Sequence, residues 1–117
     1  MSRVKTNTAS KKRKKRILKH SKGYIGGRRN LIRTATEAVE KGWNYAYRDR
    51  RAKKREFRNL WVARINAAAR MNGMSYSRFM YGLKKAGVEL NRKMLADIAL
   101  RDEATFAEFV TLAKNSV

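Results

Sequence analysis

Apolar residues in the C-terminal half recur at three- and four-residue spacing and nowhere alternate, the pattern of helix faces and not of strands. Phe57, Leu60, Trp61, Ile65, Ala68 and Met71 form one such stripe. It belongs to a helix predicted from about Thr34 to Asn72, because neither glycine nor proline falls between Trp43 and Asn72 and Asn72-Gly73 supplies a stop. Thr34 or Thr36 is the expected N-cap, with Glu37 in capping-box spacing after Thr34, and Gly42 is an expected weak point. The stretch from Trp43 alone would run roughly 45 Å at 1.5 Å per residue, too long for the interior of a small domain. Ser75 then caps a helix through Ala86, with Phe79, Met80 and Leu83 inward and Gly87 at its end. Asn91 caps another carrying Met94, Leu95 and Ile98, and Asp102 caps a last one with Phe106, Phe109, Val110 and Leu112 inward. The expected fold is all-α: a long basic N-terminal helical extension, residues 1–58, followed by a small globular helical domain, residues 59–117, without a sheet.

Charge changes this picture for the first half. The chain has 117 residues, with 30 Lys plus Arg against 9 Asp plus Glu, a net charge of +21. Residues 1–58 hold 21 of those cations and 4 of the acids, and no acid precedes Glu37. A chain so basic repels itself and adsorbs to polyanions. Lys11-Lys12-Arg13-Lys14-Lys15-Arg16 is an unbroken cationic run, expected to be disordered when alone. Gly23, Gly26 and Gly27 are expected to interrupt any early helix and let this arm follow an irregular surface.

The long helix carries the sharpest signal. At 100° per residue, Arg48, Arg50, Arg51, Lys53, Lys54, Arg55 and Arg58 cover about two thirds of the circumference, and Asp49 and Glu56 share the remaining gap. Solvated helices mix both signs for i,i+4 support; a helix cationic on most sides suits phosphates arriving from several directions, as in a folded RNA. Trp43, Tyr45 and Tyr47 precede the cations, either to stack on unpaired bases or to pack in a core.

Other chemistries find no support. Cysteine is absent, which removes disulfides, thiolate catalysis and Cys-ligated zinc, and His20 is the single histidine. No apolar run approaches the roughly 20 residues of a bilayer span, so the chain reads as soluble and not secreted. The Gly23-Tyr24-Ile25-Gly26-Gly27 stretch fits neither a P-loop nor a dinucleotide fingerprint. Asp102-Glu103 suit a helix N-terminus better than a carboxylate pair. No enzyme, metal site, cofactor, small-molecule substrate or membrane partner is expected. A bZIP-like DNA binder would need leucine heptads after the basic helix, and a membrane-active peptide would need basic and apolar faces on one helix; neither pattern is present.

Several stretches carry a resemblance to a known family: Lys22-Gly23-Tyr24-Ile25-Gly26-Gly27-Arg28-Arg29, Tyr45-Ala46-Tyr47-Arg48-Asp49-Arg50-Arg51, and Phe57-Arg58-Asn59-Leu60-Trp61-Val62-Ala63-Arg64-Ile65-Asn66-Ala67-Ala68-Ala69-Arg70. Ser75-Tyr76-Ser77, Gly82-Leu83-Lys84-Lys85-Ala86-Gly87 and Asn91-Arg92-Lys93-Met94-Leu95-Ala96-Asp97 extend it. Together they resemble the bacterial-type large-subunit (50S) ribosomal protein L-twenty family. The first twenty residues depart most: Arg3-Val4-Lys5 fits, but Thr6 stands where a cation is expected.

The resemblance implies a structural protein that binds 23S rRNA directly, promotes early 50S assembly by bridging rRNA helices, and takes no direct part in peptidyl transfer. It implies a cytoplasmic location in the ribosome, or in an organellar ribosome, beside neighbouring large-subunit proteins. Some relatives also bind their own mRNA and repress its translation, which for this chain would fall to residues 59–117. On this reading the rRNA-binding residues of the arm are Arg3, Lys5, Lys11, Lys12, Arg13, Lys14, Lys15, Arg16 and Lys22, followed by Arg28, Arg29 and Arg33. Those of the long helix are Trp43, Tyr47 and the seven cations from Arg48 to Arg58. In the C-terminal domain Arg64, Arg70, Arg92 and Lys93 either add selectivity or are solvated surface residues.

Overall fold

The structure, a computed structural model, describes residue 3 and residues 5–117; Val4, within the family-like Arg3-Val4-Lys5, lies outside the described residues. Five α-helices are present among them: α1 (Asn7–His20), α2 (Ile32–Met71), α3 (Tyr76–Lys85), α4 (Arg92–Arg101) and α5 (Glu103–Ser116). A short 3-10 turn, Gly26–Arg28, lies between α1 and α2. No described residue is in a strand, so the fold is all-α with a long helix, as expected. The chain divides into two compact units, Met1–Arg51 and Ala52–Val117.

In the first unit the cationic run, expected to be disordered when alone, is helical. Lys and Arg are good helix formers because their unbranched stems lose little rotamer freedom, and neither glycine nor proline falls within Asn7–His20. Like-charge pairs such as Lys11 and Lys15 oppose the helix by tenths of a kcal/mol each. Its C-terminal end is tied down. Ile17 and Leu18 are half-buried, and the wholly buried Ser21 hydroxyl lies 3.1 Å from both the Leu18 and the Arg29 carbonyl oxygens, joining the end of α1 to the segment after the 3-10 turn.

α2 begins earlier than Thr34. The Leu31 carbonyl accepts the Ala35 N–H at 2.8 Å, and Thr36, inside the helix, donates its hydroxyl back to the Ile32 carbonyl at 2.7 Å. Neither threonine is an N-cap, because the backbone turn at Gly27–Leu31 already leads into the helix: the Leu31 N–H bonds the Gly27 carbonyl at 2.9 Å. Ala35 and Val39, one turn apart, are buried, and Gly42 does not interrupt the helix.

The second unit holds the main core, built on Ile65, Ala69, Phe79, Leu83, Leu95, Phe106, Val110 and Ala113, with the Phe79 and Phe106 rings 5.1 Å apart. Five expected core positions differ, Phe57 and Leu60 being exposed as well as the three that follow. Met71 is 76% exposed because it lies 200° beyond Ala69 on the helix wheel. Leu112 points outward and Ala113 takes its place, since Phe106, Val110 and Ala113 share one face at i, i+4 and i+7. Met94 is half-exposed beside a buried Leu95. Phe57 shares Trp61's face one turn before the core begins, their centroids 6.3 Å apart, and Leu60 lies off it.

Local chemistry sets the helix ends. Asn91 and Asp102 cap α4 and α5 as expected, their side chains accepting the N–H of Met94 at 2.9 Å and of Thr105 at 3.0 Å. Ser75 holds the N-cap position of α3 but makes no side-chain cap bond. α2 and α3 each close with a left-handed glycine, Gly73 (φ 75) and Gly87 (φ 74). In both, the following N–H reaches five residues back, Met74 to Ala69 at 2.9 Å and Val88 to Leu83 at 3.0 Å. Gly82 lets α3 approach α5 closely: a Cβ there would stand 2.5 Å from the Ala113 carbonyl oxygen.

Candidate nucleic-acid interface

Every residue of α2 from Trp43 to Leu60 is exposed except Ala52, which is half-buried. The segment is helical through its own propensity, with the good helix formers Arg and Lys prominent and Ala46, Ala52 and Glu56 among them. The first unit contributes Arg48, Arg50 and Arg51, and the second Lys53, Lys54, Arg55 and Arg58, all exposed. Within each unit the helical geometry spreads these side chains to several sides of its own stretch of helix.

The cations are largely unneutralised. Among the described residues there are two ion pairs, Arg48–Asp49 and Arg101–Asp97, each 2.9 Å. The hydrogen bond to Asp49, and then its charge, holds the Arg48 guanidinium above its already high pKa. Arg50, Arg55 and Arg58 have no acidic partner. Arg51 donates through Nη2 to the Tyr47 hydroxyl at 2.8 Å, a neutral acceptor that leaves its charge intact.

None of Trp43, Tyr45 and Tyr47 belongs to the buried core. Trp43 meets the His20 ring edge to face at 5.4 Å. Tyr45 carries the Arg48 guanidinium 4.7 Å and the Lys41 ammonium 5.8 Å from its ring centroid, and Tyr47 carries Arg51 at 4.9 Å. These contacts are worth about 0.5–1 kcal/mol at exposed sites; they keep the cationic heads beside the rings.

Lys11 to Arg16 are exposed on α1, where six successive residues at 100° point all round the helix. Arg3, Lys5, Lys22, Arg28, Arg29 and Arg33 are exposed as well. The arm is therefore a cationic helix followed by a turn with basic side chains.

In the second unit Arg64 and Lys93 come together with Trp61, Asn91, Met94, Asp97 and Arg101 around an open depression of about 500 Å³. Arg101 was not expected there. Only the packing that joins α2 and α4 in one core places it beside Arg64, and periodicity along one helix carries no such signal. Arg92 is half-buried and donates through Nε to the Tyr76 hydroxyl at 3.0 Å, so it links the starts of α3 and α4 as well as presenting charge. Arg70 is exposed near the end of α2. Lys114 donates to the Asn72 carbonyl at 2.8 Å, a positive group at the negative end of α2.

No described helix is long and apolar enough to cross a membrane. The family model for ribosomal protein L20 matches residues 3–109, from before α1 into α5. On that match the chain belongs to the ribosomal protein L20 family, a family of structural, non-enzymatic proteins, and is a structural protein of the large ribosomal subunit.

Proposed function

We propose that this chain binds 23S rRNA directly and promotes early 50S assembly by bridging rRNA helices in the cytoplasmic ribosome. Residues 1–58 act as the RNA-penetrating extension and residues 59–117 as the globular domain beside neighbouring large-subunit proteins. The observation that carries this reading is the exposed stretch of α2, cationic over more than half its circumference, with Arg50, Arg55 and Arg58 free of acidic partners.

The mechanism is electrostatic clamping. RNA helices repel through their phosphates, and a positive helix between them exchanges that repulsion for attraction while releasing condensed counterions. Arg48, Arg50, Arg51, Arg55 and Arg58 supply planar forks for bidentate phosphate contacts; Lys53 and Lys54 act as less directional charges. The arm's Lys11 to Arg16 extend the same chemistry, and repulsion within it is relieved as phosphates arrive. Arg64, Arg70, Arg92 and Lys93 add contacts from the second unit.

The test is sedimentation of native lysate through sucrose at high salt, with and without ribonuclease, following the chain by mass spectrometry. Co-sedimentation with the large subunit that ribonuclease abolishes is expected. Equal affinity of the pure chain for random duplex DNA and for a 23S fragment would overturn the rRNA reading. Translational repression through its own mRNA is a further part of the proposal, and requires that the full chain bind its leader RNA in competition with the 23S fragment.

A further inference from the structure

The first unit contains an open groove of about 520 Å³ whose walls come from the glycine-rich turn and from one face of α2. Its chemistry differs from the surrounding cationic surface. Tyr24 and Tyr45 contribute aromatic rings, Arg28 and Lys41 contribute positive charge, and Glu37 contributes a carboxylate. The Tyr24 side chain crosses to α2, its hydroxyl 3.6 Å from where a Cβ on Gly42 would stand, an ordinary van der Waals distance.

Glu37 is the feature that requires explanation. Lys41 follows it at i+4, the orientation in which such a pair closes most readily. No ion pair forms between them, and none forms with Arg28. Lys41 instead lies over the Tyr45 ring at 5.8 Å. Among the described residues this carboxylate has no ion-pair partner, and it stands in a groove lined by aromatic rings and cations, with no acid before it in the chain.

We propose that this groove takes a single unpaired guanosine of RNA. The assignment rests on the RNA-binding reading above and narrows it to one nucleotide. A carboxylate needs two adjacent donors to use both oxygens. Guanine alone offers them, N1–H and the N2 amino group, on the edge that base pairing would otherwise occupy. Adenine and cytosine each present one donor beside an acceptor, and uracil one donor between two carbonyls. A splayed-out base can stack on an exposed tyrosine, while Arg28 and Lys41 take the flanking phosphates. The cavity volume falls within the roughly 300–1,000 Å³ of small-ligand sites.

The experiment measures the full chain against an RNA hairpin carrying one bulged G, the same hairpin with a bulged U, and the unbulged hairpin, at fixed salt. The G bulge is expected to bind about tenfold tighter than the other two. Glu37→Gln abolishes that preference, yet leaves binding to the unbulged hairpin equal or tighter, since it removes a negative charge. Competition for the preference by millimolar GMP but not CMP supports recognition of the base. Equal affinity for all three hairpins, or a preference that survives Glu37→Gln in a variant of unchanged circular dichroism, overturns the proposal. Saturable GMP binding without any bulge preference makes the groove a free-nucleotide site and overturns the RNA assignment. Absence of binding to any hairpin at low salt removes the RNA-binding reading itself.

Discussion

Replacing Gly82 by alanine tests the packing that holds the second unit together. The new Cβ would lie 2.5 Å from the Ala113 carbonyl oxygen, 2.8 Å from its Cβ and 2.9 Å from its Cα. Ordinary contacts are roughly 0.8–1 Å longer, and two of these atoms are backbone, so no rotamer change relieves the clash. α3 and α5 must separate, loosening the contact between Phe79 and Phe106. Overpacking of this kind costs about 1–3 kcal/mol, and the alanine returns up to about 1 kcal/mol in helix propensity. Because backbone atoms must move, the upper part of the overpacking range applies, and the net loss is about 1–2 kcal/mol, or a melting point lower by about 5–15 °C for a domain of this size. Thermal unfolding followed at 222 nm reads it. The same substitution at Gly42 is the control: its Cβ meets only the Tyr24 hydroxyl, at 3.6 Å, so Gly42→Ala gains propensity without a clash. A Gly82→Ala variant as stable as the wild type would refute the close approach of α3 to α5.

Other outcomes follow from the same geometry. Replacing Arg50 and Arg51 by alanine flattens the salt dependence of rRNA binding by about 0.7–0.9 per lost phosphate contact; an unchanged slope places both outside the interface. Ser21→Ala leaves the Leu18 and Arg29 carbonyls without their hydroxyl donor and costs about 1 kcal/mol, read as faster amide exchange around the end of α1. The Asp102 carboxyl is held below its ordinary value of 3.8, first by the Thr105 hydroxyl and then by the Thr105 N–H. A depressed folded-state pKa contributes stability that is present above the unfolded value and lost as pH falls through the folded one. Asp102→Asn therefore flattens the acid side of the stability profile below about pH 4, and an unaltered profile in acid titration would discount the cap. Asn91→Ala lowers stability by about 1 kcal/mol through loss of the bond to the Met94 N–H, measured by denaturant unfolding.

Features governed by neighbours in the chain were legible before any coordinates. Asn91 and Asp102 cap helices because each needs only a backbone N–H three residues on. Gly73 and Gly87 end helices because their left-handed turns close onto the same helix. The spread of cations on α2 follows from 100° per residue and asks nothing of the rest of the chain. The helicity of α1 does not follow from its charge run, because side-chain propensity and the tether at Ser21 outweigh repulsion between the like charges.

Where one segment meets another, the amino-acid pattern names a side of a helix but not the point at which a neighbour crosses it. Met71 and Leu112 are apolar at helical spacing and still face outward, because the core meets Ala69 and Ala113 instead. Gly82 looks like an ordinary mid-helix glycine until α5 lies against it. Arg101 joins Arg64 and Lys93 only through helix packing, and Tyr24 reaches Gly42 only because the turn after α1 folds back on α2. Charge and periodicity act along a chain and can be read from it. Close approach between distant residues depends on how helices pack, and that decides which cations stand alone in solvent and which share a groove with an aromatic ring and a carboxylate.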